Sequence, residues 1–126
     1  MNSKRNTVIY WLATALVAFG FASGGVADLV EAPDVVAAMT HLGYPAYFMT
    51  ILGAWKALGA VAIVAPGMPR LKEWAYAGMV FDLTGAVASH LASGDAVGQV
   101  VAPVVLLAFV AVSWAMRPRS RTLVAA

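Results

Sequence analysis

The sequence predicts an all-α fold: an integral membrane four-helix bundle with a short extracytoplasmic surface helix between spans 1 and 2. Three observations carry that expectation. Of 126 residues, 62% are hydrophobic and 11% charged, whereas a soluble domain devotes about a quarter of its residues to charge. Mean hydropathy is +0.82. The apolar residues fall in long blocks, without the period-2 alternation of strands or the seam of a coiled coil. Six prolines and 11 glycines are too few for a disordered or collagen-like chain. The absence of cysteine excludes a disulfide framework, a thiolate metal site and thiol-based redox or sulfur transfer within this chain.

Residues 1–126 read as a single four-span domain. The first block, Thr7 to Ala27, is about twenty residues without a charge, which at 1.5 Å per residue matches a hydrocarbon core roughly 30 Å thick. Lys4 and Arg5 resemble the n-region of a signal peptide, but the block exceeds the usual h-region and reads as a helix. A second span runs from Tyr47 to Ala65, entered after Tyr44-Pro45 and closed by Pro66-Gly67-Met68-Pro69, a run that cannot continue a helix. The third covers Trp74 to Ala92 and stops before Ser93-Gly94-Asp95; the fourth covers Val97 to Met116 and stops at Arg117-Pro118. Pro103 removes a backbone hydrogen bond and predicts a bend in the fourth.

Charge orients these spans. Lys4, Arg5, Arg70, Lys72, Arg117, Arg119 and Arg121 lie on one side, and Asp28, Glu31, Asp34 and Asp95 on the other. The positive-inside rule then puts both termini in the cytoplasm of an inner-membrane, multi-pass protein. The pI of 9.2 follows from that topology and from anionic lipid headgroups, with no nucleic acid needed. Trp74, Trp114, Tyr44 and Tyr47 stand where interfacial anchors belong. Between spans 1 and 2, Pro33, Asp34 and Gly43 supply a first-turn proline, a favourable N-terminal charge and a helix stop. They predict a surface helix over 33–42, with Val35, Met39 and Leu42 as its apolar stripe. The tail from Arg117 to Arg121 reads as a solvated end.

Lipid offers helices no hydrophobic reason to associate, so small residues and polar contacts must hold them together. Gly78, Asp82, Gly85 and Ser89 make one such stripe on the third span, expected to face protein. Gly53, Ala57 and Ala60 do the same on the second, and Gly20 and Gly24 continue toward Ala27, Asp28 and Glu31 on the first. Two ionisable residues interrupt the apolar blocks near mid-span, Lys56 and Asp82. A charge at the bilayer centre costs about 2.5 to 3.5 kcal/mol even on the lenient insertion scale, so such groups turn inward and find partners. Lys56 and Asp82 are expected to meet, either as a structural salt bridge or as the floor of a polar pocket open outward. His90, about 12 Å further out, joins them as a candidate catalytic group, and Trp55, Ser89 and His41 are candidate ligand-binding residues. No metal site is expected, since the methionines are scattered over different spans and loops. A haem between His41 and His90 is set aside because nothing fixes their mutual geometry.

Several segments together resemble a known family: His41-Leu42-Gly43-Tyr44-Pro45, Gly53-Ala54-Trp55-Lys56-Ala57-Leu58-Gly59-Ala60, Pro66 through Gly78, and Asp82-Leu83-Thr84-Gly85-Ala86 through Ser89-His90. They are similar to the DoxX-like family of small bacterial four-helix membrane proteins. The resemblance covers most of the chain and implies a compact bundle in the cytoplasmic membrane, with a connection to quinone-linked redox chemistry. It carries over no catalytic residue.

Three functions follow as expectations. The first is a bundle whose Lys56, Asp82 and His90 hold a small lipid-soluble compound, such as a quinone or other carbonyl compound, with or without catalysis. A second is an accessory subunit that docks a soluble enzyme at its cytoplasmic face through Arg70, Lys72, Glu73 and the arginine tail. The third is proton or small-molecule transport by a homo-oligomer, since four spans without an inverted repeat make a poor monomeric carrier.

Overall fold

A computed structural model of the chain describes residues 3–123. Five α-helices follow one another: α1 (Ser3–Leu29), α2 (Pro33–Leu42), α3 (Ala46–Val64), α4 (Pro69–Ala92) and α5 (Gly98–Ala115), then a single 3-10 turn at Arg119–Arg121. Among the described residues there is no strand. The helix ends obey local chemistry. Gly43 adopts φ 87° and closes α2, its N–H reaching Thr40 O at 3.1 Å while Tyr44 N reaches Met39 O at 3.0 Å, a left-handed cap that glycine favours. Pro69 opens α4 five residues before the apolar block begins, because the first helical turn needs no proline N–H.

α1 packs against α3 and α5, and α4 packs against the same two, so the four long helices close into a ring while α2 leans on α1 and α3. The inner face of α1 is read off its spacing: Tyr10, Ala13, Thr14, Val17, Phe21, Gly25 and Asp28 are buried, steps of three and four that stay on one side of a helix. Val17, Phe21, Ala60, Ile63, Tyr76, Met79, Leu83 and Val110 form the core cluster. The outer surface is as apolar as the inside, with Phe19, Tyr47, Trp74 and Phe81 each at least 70% exposed. α1, α3 and α5 are each long and apolar enough to cross a membrane. α4 is the polar exception, carrying Arg70, Lys72, Glu73 and Asp82.

Two devices bind the ring. At the first, a Cβ on Gly25 would lie 2.8 Å from Gly53 O, and one on Gly53 would lie 2.8 Å from Gly25 O. The α1 and α3 backbones therefore touch, as small residues permit between membrane helices. The second is a buried hydroxyl chain in which Ser113 Oγ lies 2.6 Å from Thr14 Oγ1 and 2.7 Å from Tyr76 Oη. It joins α1, α4 and α5 through polar contacts that hydrocarbon cannot replace.

The end bearing the chain termini is latched by cations. Lys72 is fully buried and its Nζ donates to Ala62 O at 2.9 Å and to Ala65 O. Arg121, 8% exposed, donates to Val64 O, to Ala65 O at 2.9 Å and to Tyr10 Oη at 2.8 Å. The last carbonyls of a helix lack intrahelical partners and carry the negative end of its dipole, so these two cations complete α3. Beside them Arg117 pairs with Glu73 at 2.7 Å and stacks over Tyr76. The tail is thus a folded plug, contrary to the solvated end expected: a guanidinium that can reach four unpaired acceptors gains more by turning inward than by staying in water. Lys72 and Arg121 are correspondingly withdrawn from any docking face.

Candidate functional site

A second set of ionisable groups lies in the half of the bundle away from that latch. Lys56 reaches from the inner face of α3 to Asp28 in the last turn of α1, with Nζ 3.0 Å from Oδ2. Asp28 is 2% exposed, and its Oδ2 is held by this ion contact without a hydrogen bond of good geometry. The expected partnership of Lys56 with Asp82 is therefore replaced by one with Asp28. Its cause is the Gly25–Gly53 contact, which brings α1 within reach of the lysine stem: Lys56 Cβ would be 3.1 Å from a Cβ on Gly25, and Lys56 Nζ 3.8 Å from one on Gly24. No such contact draws α4 in.

Asp82 is half-buried and lies in the field of both Lys56 and Asp28. Among the described residues it makes no ion pair and no hydrogen bond. Its direction follows from its neighbours on α4. Met79 and Leu83 point to the core, and at 100° per residue Asp82 is turned off that axis together with Gly78, Gly85 and Ser89. Ser89 Oγ meets Tyr44 Oη at 2.6 Å, so the outer end of this flank meets the connection between α2 and α3. The stripe does not pack tightly: Gly78 and Gly85 are exposed and a Cβ on either would touch nothing within 4 Å. The expectation that it faces protein is corrected. Gly78 and Gly85 therefore lie on the outer side of α4, while Asp82 is only half-buried beside them. Trp55, 68% exposed, stands on α3, one turn beyond Gly59, whose Cβ would contact Met79 of α4 at 3.5 Å.

His90 and His41 belong to a separate cluster at the rim. His90 Nδ1 lies 2.7 Å from Asp95 Oδ2, and His41 Nε2 lies 2.6 Å from Asp95 Oδ1. One carboxylate thus ties the last turn of α2 to the last turn of α4. The hydrogen bonds from His90 first, and then from His41, hold Asp95 below the usual carboxylate range. Of the six residues singled out from the sequence, Lys56 and Asp82 lie in each other's field, Trp55 is exposed on α3, and Ser89, His90 and His41 make polar contacts at the rim. Asp28 and Asp95 were missed. Asp28 is three residues after Gly25 on the inward spacing of α1, and that register was its available signal.

A model of the DoxX-like family matches residues 12–113. The chain belongs to the DoxX-like family. The match spans all five helices in whole or in large part, and with three helices able to cross a bilayer it makes this a membrane protein. No curated protein and no solved structure matches the chain.

Proposed function

We propose that this DoxX-like protein binds a small lipid-soluble compound beside α4, with Asp82 as its polar contact. The observation behind the proposal is a half-buried carboxyl group on a helix of a membrane bundle, with neither donor nor counter-charge in contact. An intramembrane ionisable residue is costly and marks a functional site by default. Lys56, already paired to Asp28, keeps two of its three N–H donors for a ligand carbonyl, so a quinone also fits this chemistry. In this reading α4 crosses the bilayer as the fourth span. The basic end faces the cytoplasm of the inner membrane, as the positive-inside rule requires.

The test is mass spectrometry of the small molecules that co-purify with the chain from its native membrane in mild detergent. A compound retained by the unaltered protein and lost from Asp82→Asn is expected. Equal recovery from both, or no saturable binding of any added lipophile, would remove the proposal.

A further inference from the structure

A groove with two walls runs between α4 and α5 near the end bearing the termini. Its floor is Tyr76 and Val110, both buried, and its rims are Ala77 and Val80 on α4 and Ala111 and Trp114 on α5, all exposed. The groove therefore opens on the outside of the bundle, beside a helix long and apolar enough to cross a bilayer. Its volume is about 280 Å³, short of the roughly 300 to 1,000 Å³ that encloses a whole small ligand. It fits a stretch of alkyl chain whose remainder stays in the lipid.

Glu73 lines the same groove and gives it a polar end. Its Oε2 accepts from Trp114 Nε1 at 3.0 Å, and its Oε1 pairs with Arg117 at 2.7 Å. A carboxylate offers about four acceptor positions and this side chain is 28% exposed, so Glu73 keeps room for a donor from outside. Tyr76 Oη is turned to Ser113 and the indole N–H is taken, so the groove offers a ligand an acceptor. Arg70 stands on the same stripe of α4 as Glu73, Ala77 and Val80, in steps of three, four and three. It is exposed, and among the described residues it makes no ion pair and no hydrogen bond. Since Arg117 balances Glu73, Arg70 leaves the mouth of the groove with one positive charge.

The occupant that answers these features has an apolar chain, one negative charge and one hydrogen-bond donor. We infer that the groove binds an anionic phospholipid with a hydroxyl-bearing headgroup, of the phosphatidylglycerol type. One acyl chain lies over Tyr76 and Val110, the phosphate meets Arg70, and a headgroup hydroxyl donates to Glu73. The depth agrees, because Glu73 is the fifth residue of α4, about 6 Å along the helix, and Trp114 is the last but one of α5. Helix ends of this kind lie at headgroup level, where interfacial tryptophans stand and basic pockets hold anionic lipids. The inference rests on α4 crossing the bilayer, as proposed above, and is independent of Asp82.

The full-length chain in mild detergent, titrated with phosphatidylglycerol, phosphatidylmethanol or phosphatidylcholine and read by native mass spectrometry, provides the test. Phosphatidylmethanol has the same charge without the hydroxyl. The expected result is a saturable one-to-one adduct with phosphatidylglycerol, with each of the other two weaker by about fivefold or more. Arg70→Gln should weaken the phosphatidylglycerol adduct about fivefold, the worth of one cation at a membrane surface. Ala77→Leu, which fills the groove without touching a charge, should weaken it by about tenfold or more. Ala77 is exposed, so an unchanged melting temperature is expected, and Ala111→Leu repeats the test from the other wall. Asp82→Asn should bind phosphatidylglycerol as the parent does, so the two proposed sites stand or fall separately. Equal binding of phosphatidylmethanol and phosphatidylglycerol would overturn the hydroxyl contact with Glu73. Phosphatidylcholine bound as tightly as phosphatidylglycerol, or binding indifferent to Ala77→Leu and Ala111→Leu, would overturn the site.

Discussion

At the end bearing the termini, Lys72 and Arg121 donate into the open carbonyls of α3, and Arg117 pairs with Glu73. In the opposite half, Lys56 meets Asp28 and Asp82 is left over. Both regions bury charge among apolar helices, yet one gives each cation several acceptors and the other leaves a carboxyl group without a partner in contact. A cation that caps a helix terminus needs no counter-ion, because backbone carbonyls and the dipole supply the negative partner. A carboxylate on a helix flank has no such resource. The comparison separates buried charge that closes a bundle from buried charge that a bundle holds ready.

The sharpest way to break this contrast is to remove Lys56. Lys56→Met strands Asp28, 2% exposed, as an uncompensated buried charge. The expected loss is about 3 to 5 kcal/mol of stability, seen as a large fall in melting temperature in detergent. At the latched end, Arg121→Ala opens the caps on α3 and leaves Tyr10 Oη without its donor. Hydrogen bonds to a charged group are worth about 1.5 to 3 kcal/mol, so thermal unfolding should shift by somewhat less than in Lys56→Met.

The two glycine environments sharpen the picture further. Gly25→Ala drives a methyl to 2.8 Å from Gly53 O and should cost about 1 to 3 kcal/mol as overpacking. Gly78→Ala meets nothing and should be neutral or stabilising by up to about 1 kcal/mol, the helix propensity gain. Equal effects at the two positions would mean that α4 packs as closely as α1 does.

The smallest expected effect lies at the rim. Asp95 is held below the usual carboxylate range by His90 and His41, so its contribution is present above the unfolded value of about 3.9. It is lost as pH falls below that value through the depressed one in the fold. Hydrogen exchange over residues 33–42 should rise in that acid window, and Asp95→Asn should raise it already at neutral pH.

The architecture was legible because length, hydropathy and stop signals act locally. Pro66 to Pro69 ends one helix and starts another wherever the rest of the chain goes, and Gly43 closes α2 through its own backbone. Pairing was not legible, because it depends on which helix comes closest. Lys56 and Asp82 share a depth on consecutive antiparallel helices, a sound reason to join them, but the α1–α3 glycine contact is a property of two helices distant in sequence. Arg121 was hidden for a similar reason: an arginine-rich tail is turned inward only when carbonyls 56 to 58 residues earlier are waiting for it. The rim cluster was half visible, its histidines noticed and the carboxylate that binds them not.

Lys56 belongs to Asp28 and leaves Asp82 without a partner in contact. Two double-mutant cycles on unfolding stability measure it, Asp28→Asn with Lys56→Met and Asp82→Asn with Lys56→Met. The expected result is a coupling above about 1 kcal/mol in the first cycle and one within about 0.5 kcal/mol of zero in the second. A strong coupling of Lys56 to Asp82 with none to Asp28 would contradict it.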